Sequence, residues 1–315
     1  MCNGVDASST RELLWTPSEQ RIRGSAMADF LAYVNRGREG SLVGYDELWA
    51  WSVEDLDGFW GSIWSYFDVL ASATPRTVLD QRSMPGAVWF PGARLNWTEN
   101  LLRHARGDAP AIVGVSEDHA PVTLTWAELT RQVASLAGEL RRLGVHPGDR
   151  VAAYLPNIPQ AVVALLATAA VGAIWSCCSP DFGTEGVLDR FRQIEPTVLI
   201  GVDGYRFGGK DIHRLDTVVQ LSAELPTVKH TVVVEQLRPG RDLPTGAVRF
   251  DALVASTVDP VYEQVPFDHP LWILYSSGTT GVPKGIVHSH GGILLEHLKS
   301  HGLHFDTGAD DRVFV

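Results

Sequence analysis

Apolar and polar positions in residues 109–250 follow a pattern that predicts strands and helices in turn. Short apolar runs predict strands at 111–115, 150–155, 173–178, 197–200 and 230–235. Longer segments between them carry apolar residues at helical spacing. Strands that alternate with helices favour a parallel sheet with right-handed crossovers. The predicted fold class is therefore α/β, with a mostly parallel sheet flanked by helices.

One helix of this region has clear start and stop signals. Thr125 and Glu128 have the spacing of a capping box. Apolar residues follow at intervals of three and four, namely Leu129, Val133, Leu136, Leu140 and Leu143. Gly144 is placed to end the helix, and the Pro-Gly-Asp sequence at 147–149 predicts a turn.

Tryptophan is concentrated in the residues that precede this region. Trp60, Trp64 and Phe67 are spaced as one face of a helix, which we predict over residues 53–70. We interpret these aromatic residues as a helix packed on a larger body, not as a ligand site. The chain then divides into three predicted parts: a Trp-rich N-terminal extension at 1–108, a first α/β subdomain at 109–250, and the start of a second subdomain at 251–315.

Composition and charge narrow the classes of partner. The chain is 45% hydrophobic and 20% charged, which is typical of soluble globular proteins. The net charge of −11 disfavours nucleic acid or an anionic membrane as the main partner, but a local cluster of donors can still hold ATP. The first residues lack the pattern of a secretory signal. The longest apolar stretch, 161–178, is interrupted by polar residues and predicts a buried helix followed by a strand.

The cysteines indicate a reducing compartment. Cys2, Cys177 and Cys178 are an odd number with one adjacent pair, so we expect free thiols and a cytoplasmic location. A redox or metal role for the pair stays open. Buried positions in a strand are the favoured interpretation, because a free cysteine behaves as a small hydrophobic residue.

The strongest candidate for chemistry is the run at 275–285, which follows an apolar strand predicted at 271–275. It combines hydroxyls, glycines and a cation: Ser276, Ser277, Gly278, Thr279, Thr280, Gly281 and Lys284. Glycines can turn successive N–H groups toward one anion, and hydroxyls and a lysine add donors. Residues 286–288 predict a strand, whereas a Walker A loop opens a helix. The run favours a triphosphate site over the alternative of an ordinary hairpin turn.

This run, YSSGTTGVPKG, resembles the phosphate loop of the adenylate-forming superfamily, which includes acyl-CoA synthetases, luciferases and peptide-synthetase adenylation domains. The resemblance implies that a carboxylate is activated with ATP and Mg²⁺, and that the acyl group is then passed to coenzyme A. It also implies that the seven residues of the run contact ATP. Thr279, Thr280 and Lys284 would hold the β- and γ-phosphates.

Three further runs resemble the acetoacetyl-CoA synthetase branch of that superfamily. They are WFPGARLN at 89–96, GAIWSCCSPDFG at 172–183 and HSHGGILLEH at 288–297. The Trp-rich N-terminus is similar to a segment that acetyl-, propionyl- and acetoacetyl-CoA synthetases share. The resemblance implies acetoacetate as the acid, with acetate, propionate or another short acid as the alternatives.

The segment GYRFGGK at 204–210 is similar to one that supplies basic residues to the 3′-phosphate of coenzyme A in related acetyl-CoA synthetases. Arg206 and Lys210 are the matching positions, although the spacing to Lys210 differs by one residue. The alternative is a solvated basic turn after a strand.

Histidines cluster after the candidate phosphate loop. His297 and His301 are four residues apart on a predicted helix, a spacing that can bind a metal ion. The sequence lacks the glutamate of a His-Glu-x-x-His motif and shows no further ligand pattern. We therefore expect no metal site and interpret this as a solvated helix face.

By the same resemblance, several elements fall beyond Val315: the acyl-pocket strand, a magnesium-binding acid, the ribose-binding Asp and the catalytic lysine. Residues 310–315 predict a strand. We therefore expect an N-terminal part of an enzyme, poorly stable alone, that needs a missing C-terminal half as its partner. A non-catalytic nucleotide-binding or regulatory chain stays open as an alternative, and a P-loop NTPase is a weaker one.

Overall fold

The computed structural model describes residues 14–117, 120–276, 281 and 283–314. These residues form two compact units. The larger unit is Val69–Leu295, and the smaller unit joins the chain up to Asp68 with the chain from Glu296 onward. The subdomain boundaries after residues 108 and 250 stay predictions from the sequence.

The described helices are α1 (Glu19–Arg23), α2 (Ala26–Arg36), α3 (Gly44–Glu54), α4 (Leu56–Tyr66), α5 (Trp97–Leu102), α6 (Trp126–Arg142), α7 (Pro159–Ala170), α8 (Thr184–Ile194), α9 (Leu215–Glu224), α10 (Phe250–Leu253) and α11 (His290–His297). A π-helical segment, Leu298–His304, continues α11. None of the helices in the described part of the chain is long and apolar enough to span a membrane.

The strands are β1 (Leu79–Gln81), β2 (Val88–Trp89), β3 (Arg94–Leu95), β4 (Pro110–Gly114), β5 (Val122–Thr125), β6 (Arg150–Tyr154), β7 (Ile174–Cys178), β8 (Val198–Val202), β9 (Gly204–Phe207), β10 (Lys210–His213), β11 (His230–Val234), β12 (Ala247–Arg249), β13 (Val265–Pro266), β14 (Pro270–Ser276) and β15 (Lys284–Ser289). Seven of them form the main sheet in the order β12-β11-β8-β6-β7-β14-β15. All neighbours are parallel except β14 and β15. The predicted α/β fold with a mostly parallel sheet is confirmed.

The core of the larger unit lies between this sheet and the helices beside it. Ala152 and Tyr154 of β6 belong to one buried cluster with Leu188 and Phe191 of α8 and with Val218 of α9. Parallel strands covered by helices are continuous apolar runs, which is why the sequence predicted four of these strands closely. Helix α6 begins with the predicted capping box.

The strand predicted at 111–115 forms, but it lies outside the main sheet. As β4 it pairs antiparallel with β5 in a separate two-stranded sheet. A parallel neighbour requires a long crossover, whereas β5 follows within a few residues and can pair as a hairpin. Strands β9 and β10 form a second such pair, which the sequence did not predict.

In the smaller unit, the single helix predicted around Trp60 is two helices. Helix α3 ends at Glu54, and Asp55 caps α4 by accepting a hydrogen bond from the first turn of α4. Phe59 and Ile63 are the residues of α4 that are buried, whereas Trp60 and Trp64 are half-buried. The prediction therefore extended this helix too far and chose a face adjacent to the buried one.

The strand predicted at 310–315 is not present in the described residues 311–314, which have irregular backbone. Val313 is 67% exposed and Phe314 is 98% exposed. A strand needs a neighbour that takes up its backbone hydrogen bonds, and no described segment pairs with these residues. The apolar run alone was therefore insufficient to make a strand.

Candidate functional site

The candidate phosphate loop joins β14 to β15, the last two strands in the order of the main sheet. Strand β14 pairs parallel with β7 through Trp272 and Trp175, and antiparallel with β15. Ser276 and Lys284 are the final cross-strand pair before the loop. Ser277, Gly278, Thr279 and Thr280 lie outside the described residues. The described part is thus the base of the loop, which both strands hold in register.

Helix α8 fastens both sides of this base. The Tyr275 hydroxyl donates to the carbonyl oxygen of Arg190 at 2.7 Å. On the other side, Nε2 of Gln193 donates to the carbonyl oxygen of Pro283 at 3.1 Å. Because both bonds end on one helix, they limit the movement of the two ends of the loop relative to the sheet.

Arg190 also connects two of the runs that carry the family resemblance. Its guanidinium lies over the Phe182 ring at 4.6 Å and over the Tyr275 ring at 5.9 Å. Phe182 belongs to the SPDFG run and Tyr275 begins the phosphate-loop run. Burial raises the pKa of Tyr275 to about 12, so its hydroxyl keeps the proton that it donates at neutral pH.

Lys284 offers a cation at the foot of the loop. It is exposed and forms no ion pair with any residue in the described ranges. Gly281 has φ +102°, a conformation that side chains rarely adopt, so a glycine suits this position. The side chain of Lys284 is therefore available to an anion held by the loop.

The SPDFG run forms a loop after the carboxyl end of β7. The buried Tyr154 hydroxyl is 2.8 Å from the carbonyl oxygen of Pro180 and 2.9 Å from that of Phe182. Asp181 accepts a hydrogen bond from the Tyr205 hydroxyl on β9. Burial, followed by this bond, raises the pKa of Tyr205 to about 12, and the same bond lowers the pKa of Asp181. The loop is thus held from the main sheet and from the β9–β10 hairpin.

The two residues predicted to contact coenzyme A lie on the β9–β10 hairpin. Arg206 is on β9, and Lys210 is the first residue of β10. Arg206 already forms an ion pair with Asp211, with 2.7 Å between Nη2 and Oδ1. Lys210 is exposed, and no ion pair joins it to a residue that the structure describes. The structure therefore brings the two predicted residues onto one small hairpin.

Two carboxylates position this hairpin. Asp203 is 1% exposed and accepts three backbone hydrogen bonds at 2.8, 2.9 and 2.8 Å, from Gln236, Leu237 and Arg238. Glu117 accepts from the backbone N–H groups of Gly208 and Gly209 at 3.0 and 3.1 Å. Both glycines have positive φ, which lets their N–H groups point to one acceptor.

The HSHGG run buries a neutral histidine after β15. His290 is fully buried, and its Nδ1 accepts from the backbone N–H of Trp97 at 3.2 Å. Its Nε2 is buried without a hydrogen-bond partner among the described residues. Burial, with a smaller contribution from His269, lowers the pKa of His290 to about 3. The imidazole is therefore neutral at physiological pH.

The cysteine pair occupies β7, as the sequence predicted. Both described cysteines are free thiols; Cys178 is buried and Cys177 is partly buried. Burial raises the pKa of Cys177 to about 11 and that of Cys178 to about 12. These thiols are therefore protonated and weak nucleophiles. Cys2 lies outside the described residues.

His297 and His301 lie at the junction of α11 and the π-helical segment. Their rings pack edge to face, with centroids 5.5 Å apart. Across the described residues, no group of three or more His, Cys, Asp or Glu side chains is arranged to hold a metal ion.

The sequence did not single out Arg190, Gln193, Asp203 or Glu117. Arg190 anchors the loop through its backbone carbonyl. Every residue has this group, so the sequence does not indicate which residue accepts the hydrogen bond. Gln193 and Glu117 act over 90 and 91 positions of sequence. Asp203 did have a usable signal, because an acid followed by glycine directly after a buried strand is typical of a turn that binds backbone N–H groups.

Comparison with known proteins defines the class. A model of the AMP-binding enzyme family matches residues 101–315, and a model of the acetyl-coenzyme A synthetase N-terminus matches residues 45–101. The chain belongs to the AMP-binding enzyme family. This confirms the resemblance on which the interpretation of the phosphate loop depends.

Individual relatives point to a narrower group of proteins than the family models do. The chain is 42% identical over 304 residues to the acetoacetyl-coenzyme A synthetase of Rhizobium meliloti (strain 1021), covering 96% of this chain and 47% of the relative. It is 40% identical over 313 residues to the acetoacetyl-CoA synthetase of Xenopus tropicalis, covering 95% and 46%. The solved acetoacetyl-CoA synthetase from Streptomyces lividans matches with a TM-score of 0.92 and 56% identity, covering 96% and 47%. The chain spans about half the length of the relatives it matches.

Proposed function

We propose that this chain belongs to an acetoacetate–CoA ligase. The reaction activates acetoacetate with ATP to acetoacetyl-adenylate and pyrophosphate, and then forms acetoacetyl-CoA and AMP. The observation that carries the proposal is the β14–β15 base, which fastens the candidate phosphate loop to α8 while Lys284 stays exposed. The similarity to acetoacetyl-CoA synthetases over 95–96% of the chain supports this acid over acetate or propionate.

In this proposal, ATP enters as its magnesium complex and its phosphates lie against the loop. Hydroxyls and backbone N–H groups of the loop would donate to phosphate oxygens: Ser276, Ser277, Gly278, Thr279, Thr280 and Gly281. Lys284 would contact the β- and γ-phosphates together with Thr279 and Thr280. Fixed donors of this kind stabilise the charge that shifts onto the leaving pyrophosphate.

The chain covers 47% of the R. meliloti relative, so we assign it the phosphate-holding part of the reaction. We propose that complete turnover also uses a segment equivalent to the remaining half of those relatives. The free thiols of Cys177, which is partly buried, and Cys178, which is buried, fit a reducing cytoplasm as the place of this reaction.

Calorimetric titration of the whole 315-residue chain with MgATP tests the phosphate assignment. We expect saturable binding that weakens about 10- to 100-fold in Lys284→Ala, because a charge-assisted hydrogen bond contributes roughly 1.5–3 kcal/mol. Lys229→Ala is the matched control, since Lys229 is also exposed and lies far along the chain from the loop. Equal losses in both variants, or no saturable binding by the wild type, would contradict the proposal.

Product analysis separates the candidate reactions. The chain, mixed with a segment equivalent to the second half of the S. lividans relative, should convert ATP to AMP and pyrophosphate fastest with acetoacetate. Equal rates with acetate or propionate would exclude acetoacetate specificity. ADP as the product would favour an NTPase, and ATP binding with no turnover in any mixture would favour a non-catalytic nucleotide-binding chain.

We assign Arg206 and Lys210 to the 3′-phosphate of coenzyme A. Because Asp211 competes for Arg206, Asp211→Asn should strengthen CoA binding a few-fold, and Arg206→Gln should weaken it. Dephospho-CoA, which lacks the 3′-phosphate, is the control ligand, and its affinity should change in neither variant. Equal changes in the affinities for CoA and dephospho-CoA would show that the hairpin does not bind the 3′-phosphate.

A further inference from the structure

The smaller unit contains a cavity of about 530 Å³ that the proposed ligase reaction does not use. Residues of α2, the turn after it, α3 and α4 line this cavity, among them Tyr33, Arg36, Arg38, Trp51, Asp55 and Gly58. Cavities of this size accommodate small organic ligands. All of these residues belong to the smaller unit.

Two arginines line this cavity, and neither guanidinium donates a hydrogen bond to a residue within the described ranges. The Arg38 guanidinium lies over the Trp51 ring at 5.2 Å, and the Arg36 guanidinium lies over the Tyr33 ring at 5.6 Å. Neither arginine forms an ion pair with a residue that the structure describes. Stacking occupies the face of a guanidinium and leaves its in-plane N–H groups free, in the fork geometry that suits a carboxylate or phosphate.

The acidic residues that line the cavity form no ion pair with these arginines in the described part of the chain. Asp55 uses one carboxylate oxygen to accept from the Gly58 N–H at 2.9 Å and the other to accept from Trp51 Nε1 at 3.1 Å. Glu39 also lines the cavity, but it is exposed and forms no ion pair within the described residues. Both guanidinium groups therefore remain available to an anion.

The aromatic wall is held in a fixed orientation. Trp51 is fixed by its bond to Asp55 and by an edge-to-face contact with Phe59 at 5.9 Å. A Cβ at position 58 would lie 2.2 Å from Asp55 Oδ2 and 3.0 Å from the Trp51 ring, so only glycine admits this approach. Surface arginines often cover aromatic rings merely to shield them. Here, a concave site with a fixed ring wall accompanies the arginines.

We propose that this cavity is a binding site for a small planar anion, an unsaturated ring that bears a carboxylate or a phosphate. The anionic group would accept hydrogen bonds from Arg36 and Arg38. The ring would stack against the outer face of the Arg38 guanidinium, which already lies on Trp51. Aromatic carboxylates and nucleoside monophosphates share this chemistry, and the test distinguishes them.

The test follows the Trp51 indole N–H by ¹H–¹⁵N NMR on the whole chain, with the signal assigned from its loss in Trp51→Phe. All titrations use the Lys284→Ala background, so that nucleotide binding at the candidate phosphate loop is weakened. Benzoate and AMP are the two probes, and acetate and inorganic phosphate are their controls without a ring. We expect a saturable shift with at least one ring-bearing probe, and the stronger of the two identifies the class of ligand.

Arg38→Gln and Arg36→Gln should each weaken the stronger probe at least about tenfold, because each removes a charge-assisted bond. Arg21→Gln is the matched control, since this exposed arginine of α1 does not line the cavity. Two glutamine variants are used so that one misfolded variant, recognised by its far-UV spectrum, leaves the other informative. Equal binding of acetate or phosphate, an equal loss in Arg21→Gln, or no saturable shift with either ring probe would overturn the proposal.

Discussion

Two antiparallel hairpins of the larger unit carry residues assigned to phosphate binding, and their construction differs. The β14–β15 hairpin belongs to the seven-stranded sheet and is fastened to α8. The β9–β10 hairpin is a separate two-stranded sheet, positioned by the carboxylates of Asp203 and Glu117. Lys284 on the first is exposed, whereas Arg206 on the second is already paired with Asp211.

The difference lies in how each hairpin is held in position. In the first, sheet pairing and helix contacts hold the backbone, so the cation need not contribute to the fold. The second hairpin buries little surface and has no pairing with the main sheet. The side-chain carboxylates of Asp203 and Glu117 hold it in position instead. A two-stranded hairpin alone is marginally stable in water, so these anchors carry its position. Substitutions at the anchors should therefore affect the two hairpins differently.

The largest effect at a single pH is expected at Asp203. Asp203→Ala leaves three backbone N–H groups without their acceptor and should lower the free energy of unfolding by about 3 kcal/mol. Urea denaturation measures this. Asp242→Ala, at an exposed position in the loop before β12, is the control and should change the stability by less than about 0.5 kcal/mol. A loss at Asp203 no larger than the control would mean that the carboxylate is not an anchor.

The next prediction compares two histidines at the ends of the hairpins. His290 directly follows β15, and His213 is the last residue of β10. Between pH 6.5 and about 3, the unfolded chain protonates His290 and the folded chain does not. The free energy of unfolding should therefore fall as the pH is lowered through this range, by up to about 1.4 kcal/mol per pH unit from this group. His290→Gln should remove that slope.

Urea denaturation at several pH values between 4 and 7 (about one unit apart) is the measurement. His213→Gln is the matched control, because it makes the same substitution at an exposed histidine. An unchanged slope in His290→Gln would show that this histidine does not stay neutral in the folded chain.

The smallest effect concerns the hydrogen bond that fastens the β14–β15 hairpin to α8. Tyr275→Phe removes the hydroxyl that donates to the carbonyl oxygen of Arg190 and should lower the free energy of unfolding by about 1 kcal/mol. Tyr262→Phe is the control, because the Tyr262 hydroxyl makes no hydrogen bond to a described residue. MgATP affinity should also fall in Tyr275→Phe, since the base of the loop becomes less fixed. Equal stability of the two variants would show that the bond to α8 does not fasten the hairpin.

The sequence alone predicted more of the structure of the β14–β15 hairpin than of the β9–β10 hairpin. The apolar run before Ser276 and the β-branched residues after Lys284 predicted two strands, and the glycines predicted the loop. For the second hairpin, the sequence placed Arg206 and Lys210 on one short segment but predicted no strands there, and a solvated basic turn was the alternative interpretation. The strands β9 and β10 are short and exposed, so they lack the apolar run that predicts a strand.

The sequence determined the main parallel strands, the capped helix α6, the candidate phosphate loop and, through its motifs, the family. These features depend on local spacing and residue type, which can be read along the chain. Only the tertiary structure decided that β4 leaves the main sheet, that residues 311–314 form no strand, and that Arg190, Asp203 and Glu117 position the two hairpins. Those outcomes depend on which segments meet in space, because a strand requires a neighbour and an anchoring carboxylate requires the donors that another segment supplies.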